Sequence, residues 1–189
     1  MTSSTGPNRH RENQTCEPVT LRPVNADEVL ALYRGLAAEN VPVWIDGGWC
    51  VDALLGRQTR EHADLDLAVA REHARRLGEL LARWGYAPRP RQDSTDWNHV
   101  VATPSGATVD VHVFEFDDQG RNVYGVAYPE GSLTGTGVIA GQEVRCVAPE
   151  WMFRFKTAYP PKDKDLADVR ALGEKYGFEI PATHRGPRG

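Results

Sequence analysis

The run Val41-Pro42-Val43-Trp44-Ile45-Asp46-Gly47-Gly48 leaves the chain few ways to fold. A short apolar stretch that ends in paired glycines reads as a short buried strand ending at Asp46-Gly47-Gly48. Trp49 to Leu55 then reads as a short helix, stopped by Gly56. A second strand is expected from Leu65 to Ala70, where Leu65, Leu67 and Val69 alternate with Asp64, Asp66 and Ala68. One face of that strand is therefore apolar, and the other displays two carboxylates.

The remaining periodicity fills in an α+β (α/β) chain. Apolar spacing predicts a helix over Asn25 to Glu39, capped by Asn25 or Asp27, and another over Glu72 to Trp84. Strands are expected at Trp97 to Thr103 and at Thr108 to Phe116, joined by a Pro104-Ser105-Gly106 turn. Val138 to Val147 reads as a second hairpin, and the glycine-rich stretch Tyr128 to Gly137 as a loop. Pro149 to Tyr159 and Lys164 to Tyr176 read as two helices around Pro160-Pro161. Strands mixed with helices up to residue 147, followed by helices alone, predict a core over residues 19–147 and C-terminal helices over 148–180. Residues 1–18 read as a disordered leader and 181–189 as a disordered tail.

Composition narrows the partners. No apolar run is long enough to span a bilayer, and the polar start lacks a secretion signal, so a cytoplasmic protein without a membrane partner is expected. Cys16, Cys50 and Cys146 are scattered, with no zinc-like spacing, and are expected as separate thiols. The formal net charge is −4. A protein that grips nucleic acid through phosphates normally has a basic bias, so nucleic acid is disfavoured. A cationic small molecule suits an acidic chain better.

Chemistry concentrates in one block. The glycine pair lets backbone approach a ligand closely, and the helix after it offers free amides to an anion. Asp64 and Asp66, at i and i+2, point to one face and repel each other unless a cation lies between them. Carboxylate oxygens beside a phosphate site suit Mg²⁺. In Thr108-Val109-Asp110-Val111-His112-Val113, the valines alternate with Asp110 and His112. If the valines face the core and the two strands are neighbours, Asp110 joins the other acids and can act as a general base.

These residues resemble the nucleotidyltransferase fold shared with DNA polymerase β. More closely, Trp44 to Leu67 resembles the small antibiotic nucleotidyltransferases, namely the lincosamide enzymes and the aminoglycoside 2''-adenylyltransferases. The lincosamide likeness continues in Val109-Asp110-Val111-His112 and Tyr128-Pro129-Glu130-Gly131. The aminoglycoside likeness is clearest from Gly137 to Cys146. The resemblance implies a polymerase β-like core with a mixed sheet flanked by helices, plus a short C-terminal helical segment. It implies transfer of AMP from ATP to a drug hydroxyl, with release of pyrophosphate. Asp64, Asp66 and Asp110 would hold one or two Mg²⁺ ions, with Asp110 also the base. Gly47, Gly48 and the Trp49 amide would cradle phosphates, and Lys156 would reach them from the C-terminal region.

Other positions keep two readings. Arg60 either meets phosphate or pins its loop through Asp52 or a backbone carbonyl. His62 reads as structural and Asp52 carries no assigned chemistry. His112 either touches substrate or orients its neighbours. Trp97 and Tyr128 are candidates to stack on a base or sugar. Glu130, with Asp93, Asp96 and Glu115, can attract ammonium groups of an acceptor. Asp163, Asp165 and Asp168 with Lys162 and Lys164 read as a solvated helix start. A homodimer stays open, as do a toxin-type enzyme acting on RNA or protein and a non-catalytic nucleotide-binding relative.

Overall fold

A computed structural model describes residues 22–185. The leader expected over residues 1–18, Cys16 and residues 186–189 of the expected tail lie outside them. Helix α1 (Ala26–Ala38) starts at a reciprocal cap. The Asn25 side chain accepts the Glu28 amide at 3.0 Å, and the Glu28 carboxylate accepts the Asn25 amide at 3.1 Å. Strand β1 (Val43–Ile45) leads into helix α2 (Gly47–Leu55), strand β2 (Leu65–Ala70) and helix α3 (Arg71–Arg83). The helix expected from Trp49 starts two residues earlier, so that both glycines are the first residues of α2. Asp46 is its cap, accepting the Gly47 amide at 2.7 Å.

Strands β3 (Ala87–Pro88), β4 (Asn98–Ala102), β5 (Thr108–Phe116), β6 (Asn122–Gly125), β7 (Gly135–Ile139) and β8 (Gln142–Cys146) follow. Helices α4 (Pro149–Thr157) and α5 (Asp163–Tyr176) close the chain before a 3-10 turn at Ala182–His184. That turn falls within the expected tail, and its His184 is buried. The expected loop Tyr128 to Gly137 is also partly structured, since Gly135 to Gly137 belong to β7. A side chain at Gly137 would sit 2.5 Å from the Ala53 backbone of α2. Here glycine records a strand pressed against a helix, which a glycine-rich stretch read as a loop does not reveal.

The strands form one mixed sheet in the order β3-β4-β5-β2-β1-β8-β7, with β6 also paired to β5. The architecture is α+β, as expected. The decisive pairing is β2 beside β5, parallel, with Leu65 opposite Val109, Asp66 opposite Asp110 and Leu67 opposite Val111. Leu65, Leu67, Val109 and Val111 are buried in the core, so the same alternation presents Asp66 and Asp110 together on the other face. The C-terminal helices share this core, with Val169 and Leu172 fully buried. Lys175 Nζ and Tyr176 OH donate to the Leu54 carbonyl at 2.7 and 2.9 Å, satisfying an acceptor at the end of α2.

Candidate active site

One cleft of about 590 Å³ gathers most of the residues singled out from sequence: Gly47, Gly48, Arg60, Asp64, Asp66, Asp110 and Lys156 all line it. Asp66, Asp110 and His112 each present a ligand atom within 4.8 Å of the other two. Asp64 lines the cleft outside that trio, as the residue immediately before β2 rather than within it. Burial, the charge of Asp64 and those of Asp46 and Asp110 push the Asp66 carboxyl up to about 7, although His112 opposes them. Burial also raises Asp110, with His112 and Arg91 pulling it back. Asp110 Oδ1 is buried without a hydrogen-bond partner.

His112 serves this cluster from behind. Its Nδ1 lies 3.3 Å from Asp46 Oδ2 and 3.2 Å from Tyr128 OH, and its Nε2 lies 3.6 Å from Asp110 Oδ1. Burial works against its charge. The hydrogen bond and charge of Asp46, with the charges of Asp66 and Asp110, nevertheless raise it to about 9. Of its two expected roles, the geometry fits the one that orients neighbours.

The glycines are required by close approach. A Cβ at Gly47, where φ is +59°, would lie 1.9 Å from Asp66 Oδ2. A Cβ at Gly48 would lie 2.4 Å from His62 Nδ1 and 2.7 Å from an Arg60 guanidinium nitrogen. Position in the first turn of α2 leaves the Gly48 and Trp49 amides without intrahelical acceptors. The Trp49 indole itself is buried, with its ring 4.8 Å from that of His62. His62 is also buried and bonds Asp52, which accepts the Thr59 amide at 3.0 Å. Asp52 thus pins the loop before β2, a structural task with no sequence signal beyond its helix position.

The wall opposite the acids is cationic. Arg60 holds Asp168 with two nitrogens, at 3.1 and 3.4 Å, and donates to the Glu61 carbonyl at 3.2 Å. Its anchor is therefore Asp168 rather than Asp52. Lys156 is buried, not a solvated helix lysine, and pairs with Asp168 at 3.0 Å and Asp165 at 3.3 Å. Burial lowers its pKa, but those two acids raise it further. Asp165 and Asp168, expected at a solvated helix start, are both buried in this network. Tyr159, Lys162, Lys164 and Arg91 also line the cleft. Lys162 and Lys164 are expected from sequence at a solvated helix start, and Tyr159 and Arg91 have no assigned role, because nothing local shows the fold closing these residues around the acids.

The expected stacking residues lie elsewhere. Tyr128 is buried, its hydroxyl donates to Asp46, and its ring meets Phe114 edge-on at 5.6 Å. It has no free face to offer a base or sugar, which corrects that expectation. Trp97 is partly buried against the core, and its carbonyl accepts the Val113 amide at 2.8 Å. Glu130 is exposed beside Gly120. Neither is among the residues lining the cleft. Glu115, a further acid expected to attract acceptor, is paired with Arg71 at 2.7 Å.

A mixed sheet carrying register-matched aspartates beside a glycine-started helix defines a nucleotidyltransferase. The family model for aminoglycoside-2''-adenylyltransferase matches residues 28–172, and the chain belongs to that family. A 2''-aminoglycoside nucleotidyltransferase from Escherichia coli is 33% identical over 168 residues, covering 82% of this chain and 92% of the relative. The crystal structure of ANT(2'')-Ia in complex with adenylyl-2''-tobramycin superposes with a TM-score of 0.65 at 26% identity, covering 79% of this chain and 88% of that one. The lincomycin-bound structure of the lincosamide antibiotic adenylyltransferase LnuA shares the fold, with a TM-score of 0.69 at 21% identity over 80% of this chain and 98% of that one.

Proposed function

We propose that the protein moves AMP from ATP to a hydroxyl of an aminoglycoside-type antibiotic, in a Mg²⁺-dependent reaction that releases pyrophosphate. The observation that carries this is the register of Asp66 beside Asp110, with Asp110 Oδ1 free of hydrogen bonds in the same cleft as the α2 start. The donor set fits a hard divalent ion. Burial, with the charges of Asp64, Asp46 and Asp110, raises the Asp66 pKa to about 7, and a divalent ion held among these carboxylates would offset that crowding. Asp64, Asp66 and Asp110 would hold the ion, while His112, already engaged by Asp46 and Asp110, acts as a counter-charge. When bound, the ion supplies neutralisation of the triphosphate charge.

The chain's own residues do the rest. Asp110 accepts the proton of the attacking hydroxyl as that oxygen bonds to the α-phosphorus, and the bond to the bridging oxygen breaks with pyrophosphate leaving. The Gly48 and Trp49 amides face the phosphates at the positive end of α2. Lys156, Lys162, Lys164 and Arg60 form the cationic wall for the rest of the triphosphate. A net charge of −4 favours a cationic acceptor over nucleic acid, and ATP supply suits a cytoplasmic site.

The test is incubation with ATP and Mg²⁺ against a panel of aminoglycosides and lincosamides, read by mass spectrometry and by pyrophosphate release. An aminoglycoside heavier by one AMP supports the proposal. Modification confined to lincosamides replaces the acceptor, and unmodified drugs beside adenylylated RNA or protein overturn it.

A further inference from the structure

Arg91 has no part in the cationic wall, although it lines the same cleft. It sits in the turn between β3 and β4, where its amide donates to Ser94 Oγ at 2.8 Å and its carbonyl accepts the Ser94 amide at 3.1 Å. The backbone is thus tied down. The side chain, 45% exposed, reaches across to Asp110, where a guanidinium nitrogen donates to Oδ2 at 3.0 Å. Among the described residues, Arg91 and His112 are the cationic side chains within ion-pair distance of Asp110. His112 is fixed from behind by Asp46 and Tyr128 and has nowhere to withdraw. Arg91 has a flexible stem with water on one side. Arg60 and Lys156 are committed to Asp168 and Asp165.

We propose that Arg91 is a positioning residue that engages Asp110 as a stand-in for a divalent cation and yields that carboxylate when the cation binds. The proposal rests on the reading of Asp110 as metal ligand and base. Three features support the exchange. The contact uses one Asp110 oxygen, and the other has only the His112 ring at 3.6 Å and no hydrogen bond, so the carboxylate is held in orientation but not saturated. A half-exposed single-nitrogen ion pair is weak, the kind of partner that a divalent ion on several carboxylates displaces. The guanidinium also offsets charge in a cleft where Asp64, Asp66 and Asp110 gather.

The experiment measures Mn²⁺ binding without nucleotide, by calorimetry or electron paramagnetic resonance, in wild type, R91Q, R91K, D110N and R91Q/D110N. Removing a competing exposed cation is expected to tighten Mn²⁺ binding about three- to fivefold in R91Q. R91K, which keeps the charge, is expected to stay near wild type. D110N is expected to bind more weakly, and adding R91Q to it to change nothing further. Equal or weaker binding by R91Q, or equal tightening in the D110N background, overturns the exchange. Unchanged Mn²⁺ affinity in D110N instead overturns the reading of Asp110 as a ligand. If D110N fails to fold, the comparison of R91Q with R91K still decides, since a loss of packing alone would not depend on the charge.

Discussion

Replacing Asp66 with Asn should stabilise the metal-free protein while removing its response to Mg²⁺. The magnitude follows from the cleft. A carboxyl moved from its ordinary 3.8 to about 7 favours the protonated form in the folded state. Because its folded pKa is raised, the stability linked to its proton is complete below the unfolded pKa and is lost as pH rises through about 7. The full shift corresponds to about 4 kcal/mol at about 1.4 kcal/mol per unit. Contact with water at the cleft reduces this to about 2–4 kcal/mol at alkaline pH. Between about pH 6 and pH 8 the Asp66 contribution alone falls by about 1.4 kcal/mol. His112 adds a loss of the same sign, since its stabilising charge is present below its unfolded pKa and is lost as pH rises through about 9. Urea denaturation in EDTA, for wild type and D66N at both pH values, isolates the Asp66 part as a stability difference that grows with pH. Millimolar Mg²⁺ should then raise wild-type stability and leave D66N nearly unchanged. A D66N protein less stable than wild type at alkaline pH, or one equally stabilised by Mg²⁺, would refute the idea that repulsion among these acids is relieved by a shared cation.

Other perturbations test the surrounding parts. Gly47→Ala places a methyl 1.9 Å from Asp66 Oδ2 at a positive φ, and should abolish adenylylation and lower stability by about 2 kcal/mol or more, measured by turnover and denaturant midpoint. Tyr128→Phe removes the hydroxyl that donates to Asp46 and should cost about 1–2 kcal/mol of stability, with the acceptor KM unchanged; a raised KM would restore Tyr128 as a substrate contact. Asp168→Asn strips the shared partner from Arg60 and Lys156 and should destabilise the fold by about 3 kcal/mol, checked by thermal unfolding.

Much of the fold was legible because alternation and helical spacing are local. The strand over Thr108 to Phe116 and the strand over Leu65 to Ala70 have the expected limits, since both are driven by buried β-branched or leucine residues at every second position. Strand β3, two residues long and exposed, carries no such pattern; the hairpin of β7 and β8 was expected, and only the start of β7, Gly135 to Gly137, hides behind its glycines. At the site, Asp66 and Asp110 were legible apart from one condition, the neighbouring of β2 and β5, which pairing supplies. Tyr128 was misjudged because an aromatic beside a glycine-rich stretch looks exposed until Phe114 and Asp46 are seen to enclose it. Lys156 and Arg60 illustrate the converse. Their partner Asp168 lies 108 residues beyond Arg60, outside any local pattern.

That separation has a consequence for how the molecule is made. During synthesis, the aspartates of β2 and β5 leave the ribosome well before Asp165 and Asp168. Until α5 docks, Arg60 and Lys156 lack the carboxylates that they pair with in the folded protein. A chain interrupted at Pro160-Pro161 would therefore keep its acids yet lack a finished opposing wall. Docking of α5 is thus the step that completes the wall opposite the acids.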